Sequence, residues 1–447
     1  MKVCLIFPPV YLPIEGTKLT PPLGIHLLQS ILEEKGINVK ILPPYMLAPA
    51  CKNKDRLQTM GFKENLFFRQ AVEQADVLGL SCDSFNYGIG KIIIQNAREI
   101  RKDIIVVTGG VHATIFDEYV LKTSGADIVV RGEGEITFLE VLQALKDKKA
   151  LSEIAGITFF AGGKTIRRNP DRANLSPVEI ENYSDIDFSN INLDYYHALP
   201  IETSRGCPYN CIFCSIVHHR VWRHLSVDFI KERLLVMSRL TTDIVFVDDA
   251  FTIDTDRALK ILEYLDRSKI NFHLTFEARV NNLASAPILK ALNPQKIHKI
   301  QIGVECGYPE GLERIEKKIT IEQVIKTSRR AREAGVAEKL LLSFIIGFPW
   351  ETTKNCLKTY EFAAFLRKEF GVNTVINWWL PIPSRLWNEL KTKAGLTAAV
   401  FDNPEWVMDE DLFLKTHPKI SSREKAKMNY LLVNTRAITR NAVNGSR

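Results

Sequence analysis

Three closely spaced cysteines are the residues of this chain with the clearest capacity for chemistry. They lie in the segment Cys207-Pro-Tyr-Asn-Cys211-Ile-Phe-Cys214, which opens directly after a glycine. Thiolates at spacings of four and three residues can wrap one corner of an iron–sulfur cubane and leave its fourth iron open. An open iron can chelate the amino and carboxylate groups of a methionine moiety. The spacing therefore predicts a cluster that acts as a reagent on a sulfonium.

The elements that must position this loop form a repeating pattern over residues 196–395. Six apolar segments, each followed by a helical stretch, predict six parallel strands and hence a partial TIM-type (β/α)6 barrel rather than the full eight units. The cysteine loop follows the first strand, and polar or glycine-rich residues follow each of the others, at the rim where such barrels carry their chemistry. The predicted strands are Ile201–Ser204, Ile244–Asp248, Phe272–Phe276, Ile300–Glu305, Leu340–Ile346 and Val375–Leu380.

The first 149 residues show a similar alternation and predict a separate Rossmann-like, flavodoxin-like α/β domain. Ligands of such a sheet bind beyond the carboxyl ends of its strands. Residues 150–195 lack sustained periodicity and are interpreted as a connector. Residues 396–447 are interpreted as a helical C-terminal extension. The five predicted strands are Val3–Phe7, Val39–Leu42, Val77–Cys82, Ile104–Thr108 and Asp127–Arg131.

Composition narrows the possible partners and location. The 447 residues exceed one ordinary core, and 59 Lys+Arg against 52 Asp+Glu give a net charge of +7 without a long basic run, so nucleic acid is not indicated. Eight irregularly spaced cysteines argue against a disulfide framework. No secretory signal or membrane span is recognisable, which predicts a cytoplasmic protein.

Zinc is the alternative ligand for the cysteine loop. Structural zinc takes four ligands, and His218, His219 and His224 follow closely enough to complete a set. The cluster is favoured, because a zinc knuckle has no need to stand on the first strand of a barrel.

The segment from Glu202 to Ser215, Glu-Thr-Ser-Arg-Gly-Cys-Pro-Tyr-Asn-Cys-Ile-Phe-Cys-Ser, closely resembles the radical S-adenosylmethionine superfamily. The resemblance extends over the whole second domain. It implies that Cys207, Cys211 and Cys214 bind a four-iron four-sulfur cluster. The reduced cluster would cleave S-adenosylmethionine to methionine and a 5′-deoxyadenosyl radical, with electrons from a donor such as flavodoxin or ferredoxin.

The same resemblance assigns five expected contacts to S-adenosylmethionine. Phe213 matches the position near the adenine, and Glu305 matches the residue often placed at the ribose. Ser343 and Gly347 match the fifth-strand segment that lines the cofactor pocket, and Arg279 could meet the carboxylate. For each of these residues, barrel packing or rim solvation is the alternative role.

Several landmarks of the first domain resemble the cobalamin-binding module fused to many of these enzymes. Gly109-Gly110 after a strand allows a ligand to approach the backbone closely, and Gly132-Glu-Gly-Glu135 is a tight turn that feeds a helix. None of the nine histidines stands in the Asp-x-His-x-x-Gly context that supplies a lower axial ligand elsewhere. The departure fits cobalamin bound without a protein imidazole, and also a module that has lost cobalamin. The expected contacts are Pro9, Ser81, Gly109, Gly110, His112, Gly134 and Glu135.

The resemblance implies a cobalamin-dependent radical methyltransferase acting on an unactivated carbon of a small molecule or peptide. Cyclisation or rearrangement uses the same parts. A transfer-RNA methylthiotransferase is a further alternative, for which Cys4, Cys51 and Cys82 would bind a second cluster, and a non-catalytic carrier or sensor is the last. Trp378 and Trp379 could stack on a substrate. No general acid or base is assigned, because the rim carboxylates Asp248, Asp249 and Glu277 cannot be ranked.

Overall fold

The computed structural model describes residues 1–10, 20–47, 62–184, 186–189, 191–215, 221–285 and 287–444, with side chains up to residue 433 apart from that of Ser285. Within these residues the chain forms two large β-sheets, each covered by helices. No helix in the described part of the chain is long and apolar enough to cross a membrane.

The first sheet has seven strands in the order β2-β1-β3-β4-β5-β6-β7. The first five in sequence pair in parallel, each within one residue of its predicted bounds. Strand order reverses between β1 and β3, and in doubly wound sheets of this kind a ligand crevice opens at that point. The strands are β1 (Lys2–Ile6), β2 (Asn38–Leu42), β3 (Val77–Ser81), β4 (Ile105–Gly109), β5 (Ile128–Val130), β6 (Ile157–Phe160) and β7 (Ile166–Arg168).

Helices cover both faces of this sheet. Val3 and Leu5 point into one apolar cluster, while Cys4 and Ile6 point into another that is continuous with the core of the second domain. The alternation follows from the two-residue period of a strand. The helices are α1 (Leu23–Glu34), α2 (Pro44–Leu47), α3 (Leu66–Gln74), α4 (Tyr87–Ile100), α5 (Val111–Ile115), α6 (Asp117–Ser124) and α7 (Gly134–Asp147).

The sheet extends past the boundary predicted at residue 149. Strands β6 and β7 lie in the predicted connector and add an antiparallel hairpin to the edge strand β5. Gly162 and Gly163, both with positive φ, make its turn. Two short runs separated by a glycine-containing loop are a hairpin pattern. Helix α8 (Pro177–Tyr183) then leads toward the second domain.

The second sheet has six parallel strands in the order β15-β14-β13-β12-β11-β8, so the predicted six-unit partial barrel is confirmed. Strand bounds differ from the predicted ones by up to three residues. A short antiparallel pair, β9 with β10, flanks the cysteine loop. The strands are β8 (Leu199–Ile201), β9 (Ser204–Arg205), β10 (Arg223–His224), β11 (Asp243–Phe246), β12 (His273–Ala278), β13 (Ile297–Glu305), β14 (Leu340–Ile346) and β15 (Asn373–Trp378).

Helices pack on the outer face of the barrel, and the inner face remains open. In β14 the buried residues are Leu340, Leu342, Phe344 and Ile346, whereas the alternating residues are only partly buried. The second-domain helices are α9 (Val227–Met237), α10 (Thr255–Arg267), α11 (Val280–Ser285), α12 (Ile288–Ala291), α13 (Pro309–Arg314), α14 (Ile321–Glu333), α15 (Thr353–Phe370) and α16 (Arg385–Ala394).

The C-terminal region returns to the first domain rather than extending away from the barrel. Trp406, fully buried, donates from Nε1 to the carbonyl oxygen of Ser84 at 3.0 Å. Asp402 accepts from Lys91 at 2.8 Å and from Tyr119 at 2.7 Å. This region therefore ties both domains together. It contains two short 3₁₀ turns, Ala398–Asp402 and Trp406–Met408, and the helices α17 (Glu410–Thr416) and α18 (Ser422–Asn444).

Candidate active site

The cysteine loop lies at the carboxyl end of the first barrel strand. Cys207 and Cys211 are buried, and Cys214 is partly exposed. Among the residues that the structure describes, no three His, Cys, Asp or Glu side chains converge on a point for one metal ion. A cubane does not require such convergence, because each thiolate binds a different iron. His224 of the zinc alternative faces the carbonyl of Leu225 at 3.3 Å, while His218 and His219 lie outside the described residues.

Backbone contacts from the barrel clamp this loop. The amide of Ile212 donates to the carbonyl of Ile315 at 3.2 Å, and the amide of Leu386 donates to the carbonyl of Ile212 at 2.7 Å. Arg385 donates from Nη1 to the carbonyl of Asn210 at 2.8 Å. The loop conformation is thus determined by segments more than 100 residues away in the sequence.

Arg279 lies beneath the loop. Its guanidinium stacks over the ring of Tyr209, 3.5 Å from the centroid, and its Nη2 donates to the carbonyl of Lys317 at 2.5 Å. Arg279 is buried. The structure therefore places Arg279, the predicted contact to the carboxylate of S-adenosylmethionine, beside the cysteine loop. Arg279 also packs against that loop.

Glu305 forms a buried ion pair at the end of β13. Lys317 Nζ lies 2.7 Å from Glu305 Oε1 and 5.8 Å from the centroid of Phe213. Glu305 has a φ of +74°, a strained conformation for a residue with a side chain. A Cβ on Gly303 would collide with the Glu305 carboxylate, so the glycine makes room for the pair. Nothing in the local sequence distinguishes Lys317 from its neighbour Lys318.

The loop after β14 is held by a buried carboxylate. Glu351 Oε2 accepts from the amides of Gly347 at 2.7 Å and Phe348 at 3.0 Å, while Tyr308 donates to Oε1 at 2.6 Å. Burial raises the pKa of Glu351. The ring of Phe348 lies 5.9 Å from that of Phe213. The structure thus brings two predicted cofactor contacts, Phe213 and Gly347, to the same part of the rim.

Ser343 faces the barrel interior from the middle of β14. It is in register with Gly303 on one side and Val375 on the other. Trp378 donates from Nε1 to Asn429 at 2.7 Å, and Trp379 is buried, 6.3 Å from Phe348 by ring centroids. The two tryptophans therefore pack against the C-terminal region and the rim core.

The three rim carboxylates, which sequence patterns do not distinguish, have different surroundings in the structure. Asp248 is buried and accepts from the amide and hydroxyl of Thr203 at 2.7 and 2.5 Å and from Ser204 at 2.5 Å, which is a structural role. The charge of Asp249 adds to burial in raising the pKa of Cys207. Glu277 lines an interior cavity of about 280 Å³ and accepts from Gln301 at 3.2 Å.

The surroundings of Glu277 perturb the acidity of its carboxyl group. Its carboxyl is accessible to solvent from the concave side, yet the surrounding barrel desolvates it, and the charge of Asp249 acts in the same direction. Together they raise the pKa of Glu277 to about 7. Lys299 lines the same cavity, and burial lowers its pKa. The interior therefore presents a carboxyl group and an amine whose acidities are both shifted toward neutrality.

A cavity of about 380 Å³ opens at the switch point of the first sheet. A Cβ at Gly79 would lie 2.7 Å from Leu5, and one at Gly110, whose φ is +91°, would lie 2.5 Å from the carbonyl of Cys82. Glycine is therefore required for the backbone to form this wall. Among the predicted cobalamin contacts, Ser81, Gly109, Gly110, Gly134 and Glu135 line the cavity, whereas Pro9 and His112 do not.

His112 is a core residue. Its ring stacks on Tyr87 at 4.0 Å between centroids, and Phe401 of the C-terminal region packs against it edge-on. Ser84 lies 3.0 Å from Nδ1. Burial lowers the pKa of His112 to about 3, so the ring is neutral. The expectation that His112 lines the cobalamin pocket is corrected by this placement. No histidine of the described residues lines the cavity.

Two of the three cysteines proposed for a second cluster are buried in the first domain. Burial raises the pKa of Cys4 to about 12, and it also raises that of Cys82. Cys4 packs in the core on β1, and the thiol of Cys82 packs near Gly90. Both behave as small apolar side chains. Cys51 lies outside the described residues.

A network of charged residues joins the cavity to the cysteine loop. Arg205, two residues before Cys207, donates to Glu202 of its own domain and to Glu133 and Glu135 of the first domain. All four of these side chains also line the 380 Å³ cavity. Sequence reasoning placed Glu135 near a ligand but gave no indication of its arginine partner.

A flavodoxin-like module with a glycine-walled cavity is joined to a six-stranded barrel whose first strand leads into a three-cysteine loop. This combination defines a radical enzyme that pairs an iron–sulfur cluster with a cofactor held by the first domain. Residues 201–363 match the model of the radical SAM superfamily, and residues 15–142 match that of the B12 binding domain. The chain belongs to the radical S-adenosylmethionine superfamily, among the members that carry a B12-binding domain. Its cofactors are a four-iron four-sulfur cluster, S-adenosylmethionine and cobalamin.

Individual relatives agree with this assignment. The chain is 30% identical over 403 residues to the uncharacterized methyltransferase PH0819 of Pyrococcus horikoshii, which covers 87% of this chain and 82% of that protein. It is 24% identical over 287 residues to the anaerobic magnesium-protoporphyrin IX monomethyl ester cyclase of Rubrivivax gelatinosus, covering 60% of this chain and 50% of the relative. The solved structure of the radical S-adenosylmethionine methyltransferase TsrM from Kitasatospora setae shares the fold, with a TM-score of 0.68, 17% identity and coverage of 88% and 75%.

The residues present fit both metal-containing groups. For the cluster, three thiols share one clamped loop, and two of them are shielded from solvent. For cobalamin, the cavity wall at Gly79 and Gly110 is a cradle that any Cβ would disrupt. Its volume of about 380 Å³ falls in the range of ligand pockets and suits part of a large ligand rather than the whole.

Proposed function

We propose that this enzyme is a cobalamin-dependent radical methyltransferase that methylates an unactivated carbon of a small molecule or peptide. The observation that carries the proposal is the shared network around Arg205, because it joins the cobalamin cavity directly to the cysteine loop. The relatives PH0819 and TsrM, both called methyltransferases, support it. When bound, the cluster and S-adenosylmethionine supply a radical that removes hydrogen from the substrate, and cobalamin supplies a methyl group.

Under the proposal, some side chains bind the cluster and others form the S-adenosylmethionine site. Cys207, Cys211 and Cys214 hold the cluster. Phe213 and the Gly347 loop form the wall of the S-adenosylmethionine site, with the loop conformation held by Glu351. Two further members of this site are Ser343, in the middle of β14, and the Glu305–Lys317 pair at the end of β13.

The interior of the barrel supports a polar substrate. Glu277 and Gln301 offer a hydrogen-bonded acceptor and donor, and Lys299 offers a cation on the same wall. An apolar ligand would displace water from these groups without replacing its hydrogen bonds, so this wall favours a ligand that hydrogen-bonds to it. The expected substrate therefore carries hydrogen-bonding groups near the carbon that reacts.

The test of the cofactors uses anaerobically purified protein with a reconstituted cluster. The absorption spectrum is expected to show iron–sulfur bands and, after incubation with hydroxocobalamin and desalting, cobalamin bands. Iron–sulfur absorbance without cobalamin bands would refute the proposed mechanism and leave the superfamily assignment intact. Alanine at Cys207, Cys211 and Cys214 is expected to abolish the cluster and the reductive formation of 5′-deoxyadenosine.

The test of methyl transfer uses S-adenosylmethionine with a trideuterated methyl group. Incubation with fractionated small molecules and peptides under reducing conditions is expected to yield a product that carries the label, detected by mass spectrometry. Formation of 5′-deoxyadenosine with an unlabelled, rearranged or cyclised product would assign the alternative chemistry of the cyclase relative. A complete lack of 5′-deoxyadenosine would favour a non-catalytic carrier.

A further inference from the structure

Arg205 is the only residue of the described cavity lining that stands within two positions of a cluster cysteine. It belongs to β9, whose backbone leads through Gly206 into Cys207. Only two peptide units therefore separate Arg205 from the first predicted cluster ligand, Cys207.

All three nitrogens of the Arg205 guanidinium donate hydrogen bonds, and the acceptors lie in both domains. Nε and Nη2 donate to the two oxygens of Glu202 at 2.9 and 2.8 Å, a bidentate pair within the second domain. Nη1 donates to Glu133 at 3.0 Å and to Glu135 at 2.9 Å, both in the first domain. A planar, five-donor group can bind three carboxylates at once, which the ammonium of lysine cannot do in this geometry.

The network is shielded from water and reinforced from a second strand. The side chains of Arg205, Glu133 and Glu135 are 13%, 5% and 8% exposed, so screening by solvent and salt is weak. Arg223, the backbone partner of Arg205 in the β9–β10 pair, also binds Glu133, at 2.8 Å. Breaking one member of such a network leaves the other charges buried and unpaired.

Glu133 and Glu135 belong to the turn that precedes and begins helix α7 and forms part of the cavity wall. A ligand in the cavity contacts the same turn that Arg205 binds. We infer that Arg205 is a positioning residue that couples occupancy of the cobalamin cavity to the geometry of the cluster loop. The inference rests on the cluster and the cobalamin of the proposed function and is independent of whether the reaction is methylation.

Coupling of this kind is reciprocal. If cobalamin orders the turn that positions Arg205 and the cysteine loop, then an assembled cluster tightens cobalamin binding by the same factor. Typical coupling between sites corresponds to a change in affinity of about 5- to 150-fold. The expected effect here is a dissociation constant for hydroxocobalamin at least about fivefold lower with the cluster reconstituted than without it.

The experiment titrates hydroxocobalamin into the full-length protein, with and without the reconstituted cluster, and follows cobalamin absorbance. The electron paramagnetic resonance spectrum of the reduced cluster, recorded with and without cobalamin, is the second readout. Wild type is expected to show the affinity ratio and a shift of the cluster signal on cobalamin binding. In Arg205→Lys the ratio is expected to fall below about twofold, and the spectral shift should vanish.

Arg385→Lys is the matched control. Arg385 also holds the cysteine loop, through the carbonyl of Asn210, and its carboxylate partner Glu316 belongs to the second domain. This variant is expected to keep the wild-type affinity ratio even if it weakens the cluster. Glu135→Gln is the second test variant, because it removes one charge from the first-domain side and leaves the Arg205–Glu202 pair in place. It decides the question if Arg205→Lys cannot retain a cluster.

The outcomes separate the two proposals. A wild-type ratio near one, or Arg205→Lys and Glu135→Gln variants with the wild-type ratio, would overturn the coupling role while the cofactor assignment stands. Wild-type protein that binds no hydroxocobalamin in either state would overturn the proposed function and the coupling role together.

Discussion

Replacing Gly347 by alanine tests how closely the loop after β14 is packed. Gly347 has a φ of +78°, and an alanine in this left-handed region costs about 1–2 kcal/mol. The new Cβ would lie 2.5 Å from the ring of Trp378 and 2.8 Å from that of His417, and overpacking adds about 1–3 kcal/mol. The free energy of unfolding is therefore expected to fall by about 2–5 kcal/mol.

Gly371→Ala separates the two contributions. Gly371 has a φ of +73° as the cap of helix α15, and a Cβ there would meet no atom within 4 Å. This variant is expected to lose only the backbone contribution, about 1–2 kcal/mol. Urea denaturation of both variants, followed by circular dichroism, gives the comparison. Equal losses would refute the argument that close packing, rather than backbone conformation alone, requires glycine at position 347.

The same variant has a functional consequence. The amides of Gly347 and Phe348 donate to the carboxylate of Glu351, and Phe348 packs near Phe213 at the proposed adenine wall. Displacement of the loop by alanine is therefore expected to weaken S-adenosylmethionine binding, whereas Gly371→Ala leaves it unchanged. Equilibrium dialysis with the reconstituted protein measures this difference. Unaltered affinity in Gly347→Ala would separate the loop from the cofactor site.

Three further predictions concern the cavity, the barrel interior and the C-terminal region. Gly134→Trp fills the first-domain cavity and is expected to abolish hydroxocobalamin binding in absorbance titrations, whereas Gly134→Ala, whose Cβ meets only Leu28 and Val130 at 3.7 and 3.9 Å, retains it. The pKa of Glu277 is raised from 4.5 to about 7, so the folded protein holds this proton more tightly than the unfolded chain, and stability falls as the pH rises from about 4.5 through 7. Glu277→Gln is accordingly expected to melt at a higher temperature than wild type at pH 8 but not at pH 4, and an equal difference at both values would contradict this account. Trp406→Ala is expected to cost about 3–5 kcal/mol from the buried ring, whereas Trp406→Phe, which loses chiefly the bond to Ser84, costs about 1 kcal/mol. Urea denaturation checks both, and a near-neutral alanine variant would exclude a stabilising role for the domain contact.

Local sequence patterns were sufficient for the architecture. The runs that form β1 to β5 and the six barrel strands alternate with helical stretches, and the glycines at 109, 110 and 132 mark turns at strand ends. Such signals depend on neighbouring residues only, because strand period, helix period and turn conformation are local properties. The cysteine spacing is equally local. The hairpin at Gly162-Gly163 was within reach of the same rules, but its short, charged second strand hides the pattern.

The side-chain partners at the site were not readable in the same way. Arg205 and Glu135 are 70 residues apart, and Arg385 and Asn210 are 175 residues apart. No periodicity connects such positions, since each contact exists only after two domains or distant loops have packed. Tertiary packing also explains why His112 lies in the core, against Phe401, and not in the predicted pocket.

The sequence by itself determined the cofactor class and the two-domain plan, since cluster ligands and parallel-sheet patterns can be recognised from residues close together in the chain. Only the tertiary structure ranked Glu277 above Asp248, because burial and hydrogen bonding decide whether a carboxylate is structural or available. Only the tertiary structure joined the cavity to the cysteine loop through Arg205, because a guanidinium finds its carboxylates in space rather than along the chain.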